Sequence, residues 1–395
     1  MATSRAQRAQ RAQRAQRAQR AQRAQTGSGA LLVDDVSAGS LITNRDGIVG
    51  SWVPPDTGNL PNSLGSEIVA NLKLLSQEVR SDIFDFDLYS KLDFDFYPGV
   101  EGTESSPPSA SLYHIERNAS GLTRPTTASY SEIVRMERPS QELFQKQLRF
   151  LNGYAALRLD REEEIVDQLD GPVPFMSSIL FMRPDRTRYT LEMLDVVLGL
   201  CAYVETRFKY ALACKRPMEY SAQVQPMILT PDHGTLPSGH ATEAFAVARV
   251  LELLCKSNST KPYAHEGYRT QLYRQASRIA INRTVAGVHF PVDSIAGCVL
   301  GLALADYFVS RSMQSADKLT TVWFKGRSSV GSLADSDFVV SDYIDVARTG
   351  SIIDKEEWIG FLSAVTPAVP SNPTPLSWLW SKASQEWLDP TSKRI

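Results

Sequence analysis

Cysteine is scarce in this sequence and forms no pattern. Four occur, Cys201, Cys214, Cys255 and Cys298, far apart and in apolar surroundings, with no C-x-x-C pair among them. Such spacing excludes a disulfide scaffold and a thiolate metal cluster, and it reads as buried free thiols. Charge of one sign is missing too. A net charge of -2 gives no general signal for nucleic acid or for a membrane surface. Long apolar runs are absent as well. The best, from Ser294 to Ala305, is bounded by Asp293 and Asp306 and falls short of the ~20 residues a membrane helix needs. No apolar segment of the kind found in secretory leaders lies near the start. The expectation is a soluble, cytoplasmic protein with no transmembrane segment and no nucleic-acid partner. A homo-oligomer stays open.

What is there is unevenly distributed. An R-A-Q triplet repeats near the start, and residues 1–25 hold seven arginines and no acid, leaving the rest of the chain at -9. A period of three does not match the helical 3.6, so the arginines spiral instead of forming a face. With no large apolar residue the segment cannot bury a core. It reads as a disordered tail and linker over 1–29. An Arg-rich transit peptide is the alternative, but the apolar face of such peptides is missing. Three further regions follow: a mixed N-terminal extension over 30–127, a helical catalytic core over 128–316, and a C-terminal extension over 317–395 that wraps it.

In the first of these, Leu31–Val36, Leu41–Ile48, Phe84–Leu88 and Leu92–Phe96 read as short strands or extended turns. Ser66–Arg80 has apolar residues at helical spacing, and Gly99–Ser111 reads as a loop. From about residue 128 the pattern predicts helices at Tyr130–Met136, Gln141–Leu157, Asp160–Leu169, Arg188–Cys214, Ala241–Cys255, Tyr268–Val285 and Ser294–Met313. The fold class is therefore mainly α, a helical bundle with mixed extensions at both ends.

Only five histidines occur, and three of them fall in segments that also hold Gly, Pro, Ser or Asp. The first element is Lys209 to Arg216-Pro217. Two helical turns separate the cations, which predicts one shared face near a helix end. Alone, the pair reads as a solvated basic face. The second element, Pro237-Ser238-Gly239-His240, precedes a strong helix. Free N–H groups and the helix dipole there favour an anion. Gly239 allows close approach, Ser238 adds a hydroxyl, and His240 is placed to exchange protons. Alone, Ser238 reads as a helix cap. The third runs from Asn282-Arg283 to His289 and Asp293. Arg283 is a third, forked anion ligand. His289 offers a ring nitrogen as nucleophile or ligand, and Asp293 can hold its other N–H. Alone, these two read as a core histidine and a helix cap. Three cations, a hydroxyl, a backbone nest and two histidines from separate segments suit an oxyanion.

In this order, K-x6-R-P, P-S-G-H and N-R-x5-H-x3-D resemble the tripartite signature of vanadium haloperoxidases, class A acid phosphatases and type 2 phosphatidic acid phosphatases. Position 282 is Asn where Ser is commoner, and the match covers roughly residues 205–305. The resemblance implies a helical bundle with Lys209, Arg216, Ser238, Gly239 and Arg283 holding the oxyanion.

Two chemistries follow from it. In a haloperoxidase the cofactor is vanadate, with His289 as its axial ligand, His240 as acid and base, and peroxide and halide as substrates. His233, seven residues before His240, resembles a histidine of bromide-oxidising members. In a phosphatase no cofactor is needed. His289 attacks a phosphate ester and His240 protonates the leaving group. Gly287-Val288-His289-Phe290-Pro291-Val292-Asp293 and the short spacing between motifs resemble this second group. A non-catalytic oxyanion-binding protein is the third option. The sequence expectation is the haloperoxidase, with the phosphatase as its alternative.

Overall fold

The computed structural model describes residues 38–388 except 52, 54–64, 67, 101–105, 118–126, 258–261, 316–318, 327–332, 356 and 366–371. The R-A-Q tail, its linker and the expected strand at Leu31–Val36 lie outside the described residues. The chain divides into two units, Met1–Ile83 and Phe84–Ile395.

The described part of the first unit holds α1 (Ala38–Val49), a 3-10 turn (Val69–Leu74) and the start of α2 (Gln77–Tyr89), which crosses the boundary. Two expectations fail here. Leu41–Ile48 is helical, not extended, and Leu41, Ile42 and Ile48 are exposed. The single helix expected over Ser66–Arg80 is broken, because Leu75 takes an extended conformation that ends the 3-10 turn.

The second unit opens with the rest of α2, so Phe84–Leu88 is helix. Its alternating Phe and Asp fit a helix because Phe84 and Leu88, four apart, are both fully buried. The look-alike segment after it is a strand: β1 (Leu92–Tyr97), followed by β2 (Ser109–Arg117) and β3 (Ala128–Glu137). The last corrects the helix expected at Tyr130–Met136. Its run of β-branched and aromatic residues pairs antiparallel with β2, Val134 facing Leu112.

Helices then follow nearly as expected: α3 (Gln141–Tyr154), α4 (Arg158–Asp167), α5 (Val173–Leu180), α6 (Arg188–Leu212), the one-turn α7 (Pro217–Tyr220), α8 (Gly239–Ser257), α9 (Glu266–Val285) and α10 (Pro291–Met313). Two strands, β4 (Leu319–Phe324) and β5 (Ile359–Val365), and α11 (Pro375–Leu388) close the chain. β4 joins β3 in parallel and β5 joins β4 antiparallel, giving one sheet in the order β1-β2-β3-β4-β5. The described residues are mostly helical, as expected from sequence.

The bundle centres on α8, which packs against α10, α9 and α6. Close approach to α10 is possible because two of its residues lack side chains. A Cβ on Gly297 would meet the Ser238 carbonyl oxygen at 2.6 Å, and one on Gly301 would strike the Thr242 backbone. α11 docks through Leu379 and Trp387. Its Glu386 carboxylate accepts from Tyr189 N and Thr190 N at 2.8 Å each, capping the start of α6.

Helix α10 also corrects the reading of the sequence as lacking a membrane-length segment. Counted over all 23 residues, not the dozen between two aspartates, it is long and apolar enough to cross a membrane by length and composition. Most of it is buried inside the protein. The expectation of a soluble, cytoplasmic chain without a transmembrane segment rested on the absence of such a helix, and it is withdrawn.

The glycine contacts give a test. Gly297→Ala should destabilise by about 1–3 kcal/mol in denaturant unfolding, the usual cost of overpacking. Gly153→Ala in α3, which meets nothing within 4 Å, should be neutral or stabilise by up to about 1 kcal/mol.

Candidate oxyanion site

The three sequence elements converge at one end of the bundle. α6 ends at Leu212, with Ala213 in the left-handed region at φ 47°. Lys209 lies in its last turn and Arg216 beyond it, on extended backbone at φ -76° and ψ 157°. The two cations therefore do not share a helix face, as the spacing suggested; the chain turns between them. Both are buried, at 3% exposure. Lys209 Nζ donates to Glu205 Oε1 at 2.9 Å, one turn earlier. The Arg216 guanidinium donates to the carbonyls of His233 (3.1 Å) and Val288 (2.9 Å).

Ser238 and Gly239 sit at the start of α8, as the P-S-G-H pattern suggested. Ser238 is fully buried and its Oγ has no partner. Arg283, in the last turn of α9, is also fully buried. Its Nη2 donates to Gln168 Oε1 at 2.7 Å and to the Ile165 carbonyl at 3.2 Å, while Nε and Nη1 have no partner. Asn282, the unusual residue of the third motif, donates to Glu164 Oε1 and Gln168 Oε1 and accepts from Arg161. That network fixes the end of α9 against α4. Unpaired buried donors are costly unless something accepts from them. A hydroxyl and two guanidinium nitrogens without acceptors suit a tetrahedral oxyanion, phosphate and vanadate alike.

His289 precedes α10. Its Nδ1 lies 3.1 Å from Asp293 Oδ2, and its Nε2 lies 3.2 Å from Arg216 Nη1. A guanidinium can only donate, so Nε2 must accept and the ring proton must sit on Nδ1. The lone pair of Nε2 thus stays on the side of the cations. Burial, Arg216 and Lys209 hold His289 well below the ordinary histidine range. His240 is held well below it by burial, Arg283, Lys209 and Arg216. His233 is pushed down to about 4 by burial and Lys209. Its Nδ1 lies 3.1 Å from Arg216 Nη2, so His233 also belongs to this cluster.

Sequence reasoning missed two residues. Gln168 has no sequence neighbour in the site and reaches Arg283 only through the fold. Thr235 sits three residues before Ser238, but no spacing rule marks it. Its hydroxyl donates to Asp293 Oδ2 at 2.5 Å and lies 3.1 Å from His289 Nδ1. Asp293 Oδ2 also accepts from Phe290 N at 2.8 Å. An open surface cavity of about 610 Å³, lined by Ile179, Tyr268, Arg274 and Arg278, holds none of the motif residues.

Residues 193–315 match the model of the PAP2 superfamily. The resemblance carried by the three motifs is thereby shown for this region. Lys209, Arg216, Ser238, Gly239, His240, Arg283, His289 and Asp293 all fall inside the PAP2 span. No curated protein matches the chain. A solved structure, the first transmembrane PAP2-type phosphatidylglycerolphosphate phosphatase from Bacillus subtilis, is similar over 42% of this chain and 81% of that one. The two are 20% identical with a TM-score of 0.26, too slight a likeness to carry an argument about substrate. The soluble, cytoplasmic expectation is not retained, because α10 is long and apolar enough to cross a membrane.

The Asp293 carboxyl is pushed up to about 7 by burial, against the Thr235 and Phe290 hydrogen bonds that favour its charged form. A raised carboxyl ionises only as pH rises through that value. If ionised Asp293 supports His289, kcat/KM should rise through about pH 7. Thr235→Val removes one donor to the charge, and the acidic limb should move up by roughly one unit. A pH–rate profile of the two proteins checks this.

Proposed function

We propose that the protein is a phosphatase that cleaves phosphate monoesters through a phosphohistidine at His289. The observation that carries this reading is the pairing of unpartnered donors, Ser238 Oγ and Arg283 Nε and Nη1, with a nearby histidine whose Nε2 is unprotonated. Membership of the 193–315 region in the PAP2 superfamily supports it. So does the Gly287–Asp293 segment, with its phosphatase-like Phe290-Pro291-Val292.

In this reading Lys209, Arg216, Arg283, Ser238 and the Gly239 amide hold the phosphoryl oxygens. His289 Nε2 attacks phosphorus, forming the N–P bond as the ester P–O bond breaks. The Nδ1 proton stays toward Asp293, whose ionised form balances the charge that develops on the ring. His240 gives a proton to the departing alkoxide. Burial and three cations oppose protonation of His240 and favour its neutral form. A bound phosphate dianion offsets those cations and lets His240 carry a proton. His240 then takes a proton from water, whose oxygen attacks phosphorus. The N–P bond breaks, and inorganic phosphate and free His289 result. No cofactor enters.

The second reading is the haloperoxidase. The position of His233 against Arg216 favours it. Vanadate would rest in the same cradle with His289 Nε2 as its ligand, and when bound it would supply halide oxidation by peroxide.

One paired assay separates the two. The purified protein is tested for p-nitrophenyl phosphate hydrolysis without vanadate, and for bromide oxidation with vanadate and peroxide. Hydrolysis is expected, falling by about 10³-fold or more in His289→Ala. Vanadate-dependent bromide oxidation without hydrolysis would replace the proposal by the second reading.

A further inference from the structure

The cradle cations are not partnered alike. Lys209 has a carboxylate against it, Glu205 at 2.9 Å. Arg283 does not. Among the described residues its hydrogen bonds go to the Gln168 side chain at 2.7 Å and the Ile165 carbonyl at 3.2 Å, and Nε and Nη1 have no acceptor. A carboxylate is nevertheless close by. Glu164 stands one turn before Gln168, and its two oxygens accept from Arg278 at 2.6 and 2.7 Å. Asn282 and Gln168 also donate to Glu164 Oε1, at 3.0 and 3.1 Å.

Gln168 sits between Glu164 and Arg283. It follows α4 directly, in a 3-10 turn over Gln168–Asp170, and it is fully buried. Its Oε1 meets two donors, Arg283 Nη2 at 2.7 Å and Asn282 Nδ2 at 3.1 Å, while its Nε2 meets Glu164 Oε1. Those partners fix which way the amide points, oxygen to the cation and nitrogen to the carboxylate. The amide aims the guanidinium as a carboxylate would, but brings no charge to it. In a buried site that difference is large, because opposite charges in contact satisfy each other and leave little for a third partner.

We propose that Gln168 is a positioning residue that holds Arg283 in the cradle while leaving its positive charge for the ligand, and so favours dianionic over monoanionic oxyanions. This rests on the cradle assignment, not on which reaction the cradle performs. The Gln168 side chain touches no reacting atom and acts through Arg283. Glu164 is kept one side chain further off, where the half-exposed Arg278 takes up its charge. Exchanging the two side chains would reverse that order and put the carboxylate on Arg283.

That exchange is the test. The double variant Glu164→Gln with Gln168→Glu keeps the net charge and the amide-to-carboxylate hydrogen bond between the two positions, and moves only the charge. The probes are tungstate and perrhenate, tetrahedral oxyanions of similar size that carry two charges and one. Their binding to the full chain is measured by calorimetry at mildly alkaline pH, for wild type, Glu164→Gln and the double variant. Thermal unfolding of each protein is followed without ligand. Glu164→Gln removes a negative charge held at an exposed ion pair, and it should bind tungstate as tightly as wild type or up to about threefold more tightly. The double variant should bind perrhenate about tenfold and tungstate about a hundredfold more weakly than wild type, since one charge-assisted hydrogen bond is worth about tenfold or more and Coulomb energy scales with ligand charge. Its unfolding temperature should be no lower than that of Glu164→Gln, because Arg283 gains a counterion. Equal falls for the two ions, or weaker binding that comes with a lower unfolding temperature, would make Gln168 merely structural and overturn the proposal. Tungstate affinity within about threefold of wild type in the double variant would overturn it too. Tungstate that fails to bind wild type would overturn the cradle and the role of Gln168 together.

Discussion

The structure depends on one electrostatic constraint: Lys209, Arg216 and Arg283 are buried together at one end of a helical bundle. Moving a charge out of water costs several kcal/mol even after relaxation, and like charges add to that cost. The strain shows at Arg283, whose guanidinium is pushed down to about 10 by burial, with only a distant pull from Glu164. It makes its close hydrogen bonds to an amide and a carbonyl, not to a carboxylate. An oxyanion relieves all three cations at once. The histidines are held neutral by the same field, which in the proposed chemistry leaves His289 Nε2 able to attack the bound anion.

Backbone placement makes this burial possible. The left-handed turn at Ala213 ends α6 between Lys209 and Arg216 and sends them to the cradle from different directions. Gly297 and Gly301 let α10 lie against the first turns of α8, which puts Asp293 beside Ser238. The Ser238 N–H donates to the Asp293 carbonyl at 2.9 Å, tying the second and third motifs through their backbones. The helix packing and the site are one construction, and the small residues that look like packing detail set the distances on which the chemistry depends.

Much of this was legible from residues alone, because the chemistry is concentrated in short segments. The motif residues and five long helices, α3, α6, α8, α9 and α10, follow from local spacing. What was misread depends on tertiary context. Phe84–Leu88 and Leu92–Phe96 share an Asp/Phe alternation, yet one is helix and the other strand, since only the partners across the fold decide which face is buried. Tyr130–Met136 pairs with β2 and β4, a fact its own residues do not carry. The α10 helix was judged by its longest uncharged run, which understated a helix that includes Asp293 and Asp306. Thr235 and Gln168 act through contacts that only folding makes.

In the proposed chemistry His289 Nε2 is the nucleophile of an oxyanion cradle. The most direct measurement mixes the protein with a phosphate monoester, quenches within milliseconds in alkali, where N–P bonds survive, and maps phosphoryl groups by peptide mass. The account predicts a phosphoryl group on the peptide containing His289, absent in His289→Ala and accumulating in His240→Ala, where the intermediate has lost the base that activates water. Turnover with no phosphoryl group on His289, or with the group on another residue, would contradict it.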